Sequence, residues 1–332
     1  MPDVLAAPDV LAARLTAQLL AGDPARRPLE VVQRLLAVQA QDLRAARLAV
    51  RARTTGLAAS DVDRALDDRE LVVSWLNRGT LHLVRSEDYP WLHTLTTPQL
   101  ATSNLTRLAQ EGVTPAQAER GAAVIEKELA DGPRTRAELR AVLESADVPV
   151  AGQALVHLLF LATLRGLCVR GPVRGGEQAF VLVRDWLPRT AAVDRETALR
   201  ELARRYLIGH GPSTERDLAK WAGLSLGDAR RAMAGPLAPV VAAAPLPPPR
   251  LLGPFDELLM GWASRDLVLD GHEPAVVSGG MFRAIALVNG RAAGTWTRPQ
   301  GHVELQPFIP LSARVVAALN RDGTDVQRFL EA

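Results

Sequence analysis

A mainly α fold with small β wings, arranged as tandem winged helix-turn-helix units with a β-rich C-terminal extension, is what the sequence predicts. Three observations carry it. Helical spacing and capping signals recur in groups of three, two of these groups run into paired extended stretches around a turn, and a Pro- and Ala-rich connector separates the last group from a run of strand-like segments. The expected segments are a first winged-helix unit over residues 1–110, a second over 111–190, and a third over 191–332.

In the first segment Leu29, Val32, Leu35 and Leu36 share one helical face, and Leu43, Ala46 and Val50 share another. Asp61 is expected to cap a short helix through Arg69. Leu71 to Leu76 and Leu81 to Val84 then read as two strands around Asn77-Arg78-Gly79-Thr80. In the second segment Thr114-Pro115 opens a helix ended by Asp131-Gly132-Pro133. Thr135 with Glu138 is a capping box for the next. Residues 151–164 make a third helix, and Leu167 to Arg170 and Gln178 to Arg184 flank a Gly/Arg loop, residues 171–176. In the third segment Asp194, Ser213 and Ser225 start helices. The connector Pro236 to Pro249 is too Pro-rich for a helix. Strands follow at residues 275–277, 282–288, 293–298 and 302–306, with Asn289-Gly290 as a hairpin turn. A helix from Leu311 to Leu319 and a shorter one near Val326 close the chain.

Composition narrows the classes. With 332 residues, 48% hydrophobic and 23% charged, the chain can bury a core, which excludes disorder as its main state. The single Cys168 excludes an internal disulfide and a multi-cysteine zinc site. The start carries Asp3 and Asp9 in place of a basic leader, and the apolar stretch from Leu155 to Val169 is interrupted by His157 and Arg165. A cytoplasmic protein with no membrane association is expected. There is no phosphate-binding glycine loop, no dinucleotide fingerprint and no paired His/Glu metal spacing, so neither cofactor nor metal is expected.

A net charge of +2 gives no bulk argument for a nucleic-acid partner. Local clusters do. No acid lies between Asp147 and Glu177, while Arg165, Arg170 and Arg174 fall at the end of the third helix and along the wing. Arg44, Arg47 and Arg51 share a helix face, and Arg78 sits in the first hairpin turn. These seven are the expected DNA contacts. With only 4% aromatic residues the chain has few rings for a single-strand stacking platform, so duplex DNA is the expected partner.

Gln39-Ala40-Gln41, Arg78-Gly79-Thr80-Leu81-His82-Leu83-Val84 and Gly211-Pro212-Ser213 with Lys220-Trp221-Ala222-Gly223-Leu224 then form an ordered series. Gly253-Pro254-Phe255-Asp256, Gly261-Trp262 and Gly294-Thr295-Trp296 continue it. In this series the chain resembles the AlkZ/YcaQ-type winged-helix DNA-binding proteins, a winged-helix DNA glycosylase family, over about residues 29–310. The resemblance implies a monofunctional DNA glycosylase that excises bulky N7-alkylguanine adducts or unhooks interstrand crosslinks, in repair or in self-resistance to a genotoxin. It also implies that Gln39 and Gln41 are catalytic, with Ala40 a small centre to the motif.

The chemistry suits uncharged amides. N7-alkylguanine is already cationic and leaves readily, so the enzyme has to stabilise positive charge on the deoxyribose and place a water. Glutamine cannot titrate as a base, and Asp42 is the nearest group that can, although it is also placed to cap a helix at Leu43. Residues two apart share a face only when extended, so residues 39–41 should leave helical geometry. Asp42, Asn77 and His82 are the possible pocket residues, and Trp75, Trp221, Trp262 and Trp296 read as core anchors. The alternative is a non-catalytic winged-helix DNA-binding protein such as a transcriptional regulator. A protein-interaction module using the C-terminal β-rich part is a third reading. The expected form is a monomer on alkylated or crosslinked double-stranded DNA.

Overall fold

The computed structural model describes residues 7–189, 191, 193–235 and 241–331, apart from the side chains of residues 7 and 8. Helices predominate, joined by small antiparallel sheets. Two compact units form: Met1–Val62 with Leu199–Ala332, and Asp63–Ala198. This partition differs from the three segments expected with breaks at 110 and 190. One physical reason is visible in the second unit, where the two expected hairpins join one sheet in the order Thr80–Arg85, Leu71–Leu76, Cys168–Arg174, Glu177–Leu182. Val73 pairs with Arg170 across the junction.

Local signals set the helices of that unit. Thr114 and Gln117 cap Pro115–Leu129 reciprocally, and Thr135 and Glu138 do the same for Arg136–Ser145. The third helix, Ala154–Leu164, starts after a turn at 151–153. The Gly/Arg loop is shorter than expected, because Gly171 to Arg174 continue the strand through a bulge and only Gly175-Gly176 turn. Both glycines have positive φ, 58° and 85°, as a two-residue hairpin requires. Val183–Trp186 forms a short helix where the strand was expected to run to Arg184. Asp61 is not the N-cap of its helix: it lies in the first turn of Ala59–Asp67 and caps from inside, accepting from the Ala58 backbone N–H at 2.8 Å.

The first unit gathers Ala7–Ala17, Pro28–Leu35 and Leu43–Arg51 with most of Arg195–His210, then Glu215–Ala222 and Leu226–Ala232. Asp194 caps the long helix through Thr197 N–H at 3.0 Å. Thr214, one residue past the expected Ser213, caps the next with Asp217, and Ser225 caps the third. Of the expected connector, residues 236–240 lie outside the described residues and 241–248 hold no regular structure. The chain then adds a strand not foreseen, Arg250–Leu252, at the edge of a sheet ordered Glu304–Pro307, Arg291–Thr297, Ile285–Val288, Arg250–Leu252. Asn289-Gly290 is the hairpin turn, with φ of 50° and 79°. Ala275 and Val276 belong to the short helix Glu273–Val276, so only Val277–Ser278 is extended there.

The last helix is continuous from Ala313 to Glu331 instead of two pieces. Its Leu319 and Val326 pack with Leu251, Ala286 and Trp296 under the sheet. A second cluster joins Leu11 and Leu15 to Phe255, Leu258, Trp262 and Ile285, so N-terminal helix and C-terminal sheet share one core. Among the described residues no helix is long and apolar enough to cross a membrane, and no group of His, Cys, Asp and Glu is arranged to hold a metal ion.

Candidate active site

The Gln39-Ala40-Gln41 stretch sits between two helices. Pro28–Leu35 ends at Leu36, whose φ of 67° and ψ of −45° break the helix and turn the chain into the extended pair Val38–Gln39. Such a conformation costs a non-glycine residue about 1–3 kcal/mol and persists only where packing enforces it. Leu36 is fully buried, which supplies that packing. The Asp42 side chain then accepts from Arg44 N–H at 2.9 Å and starts Leu43–Arg51. The motif is therefore non-helical, with Asp42 as its helix cap.

Its two amides occupy different environments. Gln41 is exposed, while Gln39 is 4% exposed and its side-chain Oε1 is satisfied by no group among the described residues. A buried amide oxygen without a donor is uncommon in folded proteins and costs about 1–3 kcal/mol.

The Gln39 backbone is fixed by a residue far along the chain. Its N–H donates to Glu257 Oε1 at 2.8 Å, and Trp221 Nε1 donates to Glu257 Oε2 at 3.2 Å. Glu257 is 1% exposed, and His210 Nε2 lies 3.6 Å from the same carboxylate, beyond hydrogen-bond range. His210 stacks on Tyr206 with centroids 4.7 Å apart and meets Trp221 and Trp262 at 5.3 and 5.6 Å. Tyr206 donates to the Gly261 carbonyl at 2.6 Å, and burial pushes its phenol well above the ordinary range. A buried acid in an aromatic and apolar shell thus anchors the strand that carries Gln39.

Beside it lies an ion pair, Arg53 with Asp256, both wholly buried. All the guanidinium donors are used: two on the Asp256 carboxylate at 2.8 Å, one each on Gln18 O and Oε1 at 2.8 Å, and one on Ala49 O at 2.9 Å. Asp256 also accepts from Leu258 N–H, as the cap of Glu257–Met260. The pair therefore holds the helix that presents Glu257.

Gly261 shows how tightly this region is packed. A Cβ there would stand 2.5 Å from His210 Cδ2 and 3.0 Å from the Glu257 carbonyl. Gly261→Ala is expected to destabilise the protein by about 1–3 kcal/mol through overpacking, read as a lower chemical-denaturation midpoint.

The expected DNA contacts divide. Arg44, Arg165 and Arg174 are exposed, and Arg47 and Arg78 are half-buried. Arg165 is paired with Glu119 at the surface, a contact weak enough to exchange for a phosphate, and Arg174 donates to the Pro133 carbonyl at 2.8 Å. Arg51 and Arg170 depart from the expectation. The Arg51 guanidinium is buried and clamps Asp322 and Asp325 of the last helix at 2.6 and 2.8 Å, so its charge is spent inside the fold. Arg170 lies over Trp75 and Phe180, at 4.8 and 5.3 Å, and desolvation lowers its pKa to about 10. It packs the sheet instead of marking the wing.

Asn77 and His82, in the hairpin of the other unit, are each 1% exposed. Asn77 has φ of 50°, its N–H donates to Thr96 Oγ1 at 3.0 Å, and neither atom of its side-chain amide has a hydrogen bond among the described residues. His82 Nδ1 lies 2.9 Å from the Thr80 carbonyl. Trp75, Trp221, Trp262 and Trp296 are all buried, as core anchors should be.

Glu257, His210 and the Arg53–Asp256 pair were not foreseen from sequence. One signal existed: Asp256-Glu257 stands directly before Leu258-Leu259-Met260, and acids next to an apolar run between two glycine motifs have reason to be buried.

Comparison with known proteins identifies the family and the fold. The chain is 28% identical to an interstrand DNA cross-link repair glycosylase of Streptomyces sahachiroi, over 96% of this chain and 95% of that protein. Its fold matches that of the solved Streptomyces sahachiroi DNA glycosylase AlkZ with a TM-score of 0.78, at 24% identity, covering 98% and 96% of the two chains. The family description "DNA glycosylase AlkZ-like" matches residues 32–329, and the chain belongs to that family.

Proposed function

We propose that this DNA glycosylase hydrolyses the N-glycosidic bond of N7-alkylated guanine in duplex DNA, including bulky adducts and interstrand crosslinks, through Gln39 and Gln41. The observation that carries the reading is the buried Gln39 Oε1 without a hydrogen-bond donor, on a strand pinned by Glu257. In the reaction C1′–N9 breaks and N9 keeps the electron pair, which neutralises the cationic alkylguanine. Water adds to C1′ and releases its proton to solvent. A fixed amide dipole stabilises the developing sugar cation without needing to titrate, and the exposed Gln41 amide orients the water. Asp42 is already occupied as a helix cap, so no general base is assigned to it.

The recognition surface we propose uses winged-helix geometry. The chain order of helices 115–129, 136–145 and 154–164 followed by the hairpin 168–182 supports a three-helix-and-wing layout, in which the exposed Arg165 and Arg174 are proposed to meet backbone phosphates. The three segments 1–110, 111–190 and 191–332 are proposed as tandem versions of that layout, acting as a cytoplasmic monomer. Arg44, Arg47 and Arg78 complete the proposed DNA contacts; Arg51 and Arg170 are left out because of their internal partners.

A duplex carrying a single N7-guanine to N7-guanine crosslink tests the proposal on a denaturing gel. The expected result is conversion to single strands that break at abasic sites on heating in alkali. Intact crosslinked duplex after prolonged incubation, with tight binding to one undamaged sequence, would instead support a regulator.

A further inference from the structure

A cavity of about 510 Å³ opens directly after the catalytic motif. Asp42 and Arg44 line it, so it begins one residue from Gln41. Its apolar lining comes from Leu48, Pro254, Ala284 and Trp296, all within the same compact unit. Arg283 and Arg298 line it together with Arg44, and Thr295, Thr297 and Gln306 add neutral polar groups.

Two features specify the occupant. The volume falls in the range of pockets for drug-sized ligands, about 300–1,000 Å³, which is far more than a methyl group on guanine needs. The polar part is rich in donors: guanidiniums donate and cannot accept, Asp42 is engaged as a helix cap, and the buried Arg298 Nε has no acceptor among the described residues. Arg298 also pairs with Glu331, while Arg44 and Arg283 are exposed. A bare backbone phosphate would match the arginines and leave the Trp296 and Leu48 lining unused.

We infer that this pocket is a specificity subsite that takes the appendage of a bulky adduct: an apolar group bearing acceptor oxygens, carried on N7 of the guanine being released. The inference rests on the glycosylase reading above and adds to it where substrates are told apart. Base excision needs only the Gln39 and Gln41 amides, whereas preference for bulky lesions comes from this cavity.

The test uses three duplexes, each with one modified guanine: N7-methyl, N7-benzyl and N7-(4-carboxybenzyl). Single-turnover base release is measured for the wild-type protein, for Arg283→Ala, which removes a donor, and for Thr297→Trp, which fills the cavity from an exposed position. Arg283→Ala is expected to lower the carboxybenzyl rate about tenfold relative to the methyl rate and to leave the benzyl-to-methyl ratio within twofold. Thr297→Trp is expected to lower both aromatic substrates about tenfold relative to methyl. Ratios unchanged in both variants, with native circular dichroism, would overturn the subsite while leaving the glycosylase intact. Release of none of the three bases by the wild-type protein would overturn the glycosylase reading, and the subsite with it.

Discussion

Gln39→Ala is expected to lower the single-turnover rate of base release by about 10²–10³, the loss seen when one preorganised dipole is removed from a transition-state site. Duplex affinity and fold should change little. The Gln39 backbone N–H, not its side chain, makes the bond to Glu257, so truncation leaves the anchor in place. The side-chain Oε1 gives up no hydrogen bond within the described residues. Gln41→Ala should slow the same step, and because the two amides act on one transition state their effects should fall short of multiplying. Circular dichroism and an equilibrium binding curve on undamaged duplex separate this loss from misfolding. A Gln39→Ala variant that retained the wild-type rate would remove Gln39 from the chemistry.

Arg53→Met is expected to cost about 3–5 kcal/mol of stability, a large share of the about 5–15 kcal/mol that keeps a typical domain folded. The change strands the Asp256 carboxylate at zero exposure and leaves Gln18 O, Gln18 Oε1 and Ala49 O without their donor. Arg53→Lys should recover little, since a point ammonium cannot span the two oxygens of Asp256 and the carbonyls on the other side. Replacing both partners, Arg53→Met with Asp256→Leu, should be less damaging than Arg53→Met alone, because no buried charge is then left unpaired. Chemical denaturation of the three variants checks the order. Because Asp256 caps the helix that carries Glu257, Arg53→Met should also loosen the Gln39 strand, so any residual folded protein should release base slowly.

Legibility in the sequence followed interaction range. The Thr114-Pro115 helix start, the Thr135/Glu138 capping box, the Asn289-Gly290 turn and the Asp42 cap each depend on residues within a few positions, and all appear where expected. The last helix and the role of Arg51 were decided at a distance. The last helix, expected in two pieces, runs unbroken through Gly323, where an added Cβ would stand 3.4 Å from Val303, and packing against the sheet outweighs the glycine's propensity cost of about 1 kcal/mol. Arg51 shares a face with Arg44 and Arg47 as periodicity indicates, but Asp322 and Asp325, 271 and 274 residues away, claim its charge. Gln39 was legible through the motif, whereas its anchor Glu257 lies 218 residues on. No local pattern encodes that pairing; only the closure of the N-terminal helices onto the C-terminal sheet creates it.

Uncharged amides at Gln39 and Gln41 are proposed to drive hydrolysis of an alkylated nucleotide. Chromatography with mass detection on a duplex holding one N7-methylguanine tests it most directly. The wild-type protein should yield free N7-methylguanine and an abasic strand in equal amounts, and the Gln39→Ala, Gln41→Ala double variant should yield neither above the uncatalysed background. Base release that persists unchanged in the folded double variant would contradict the account.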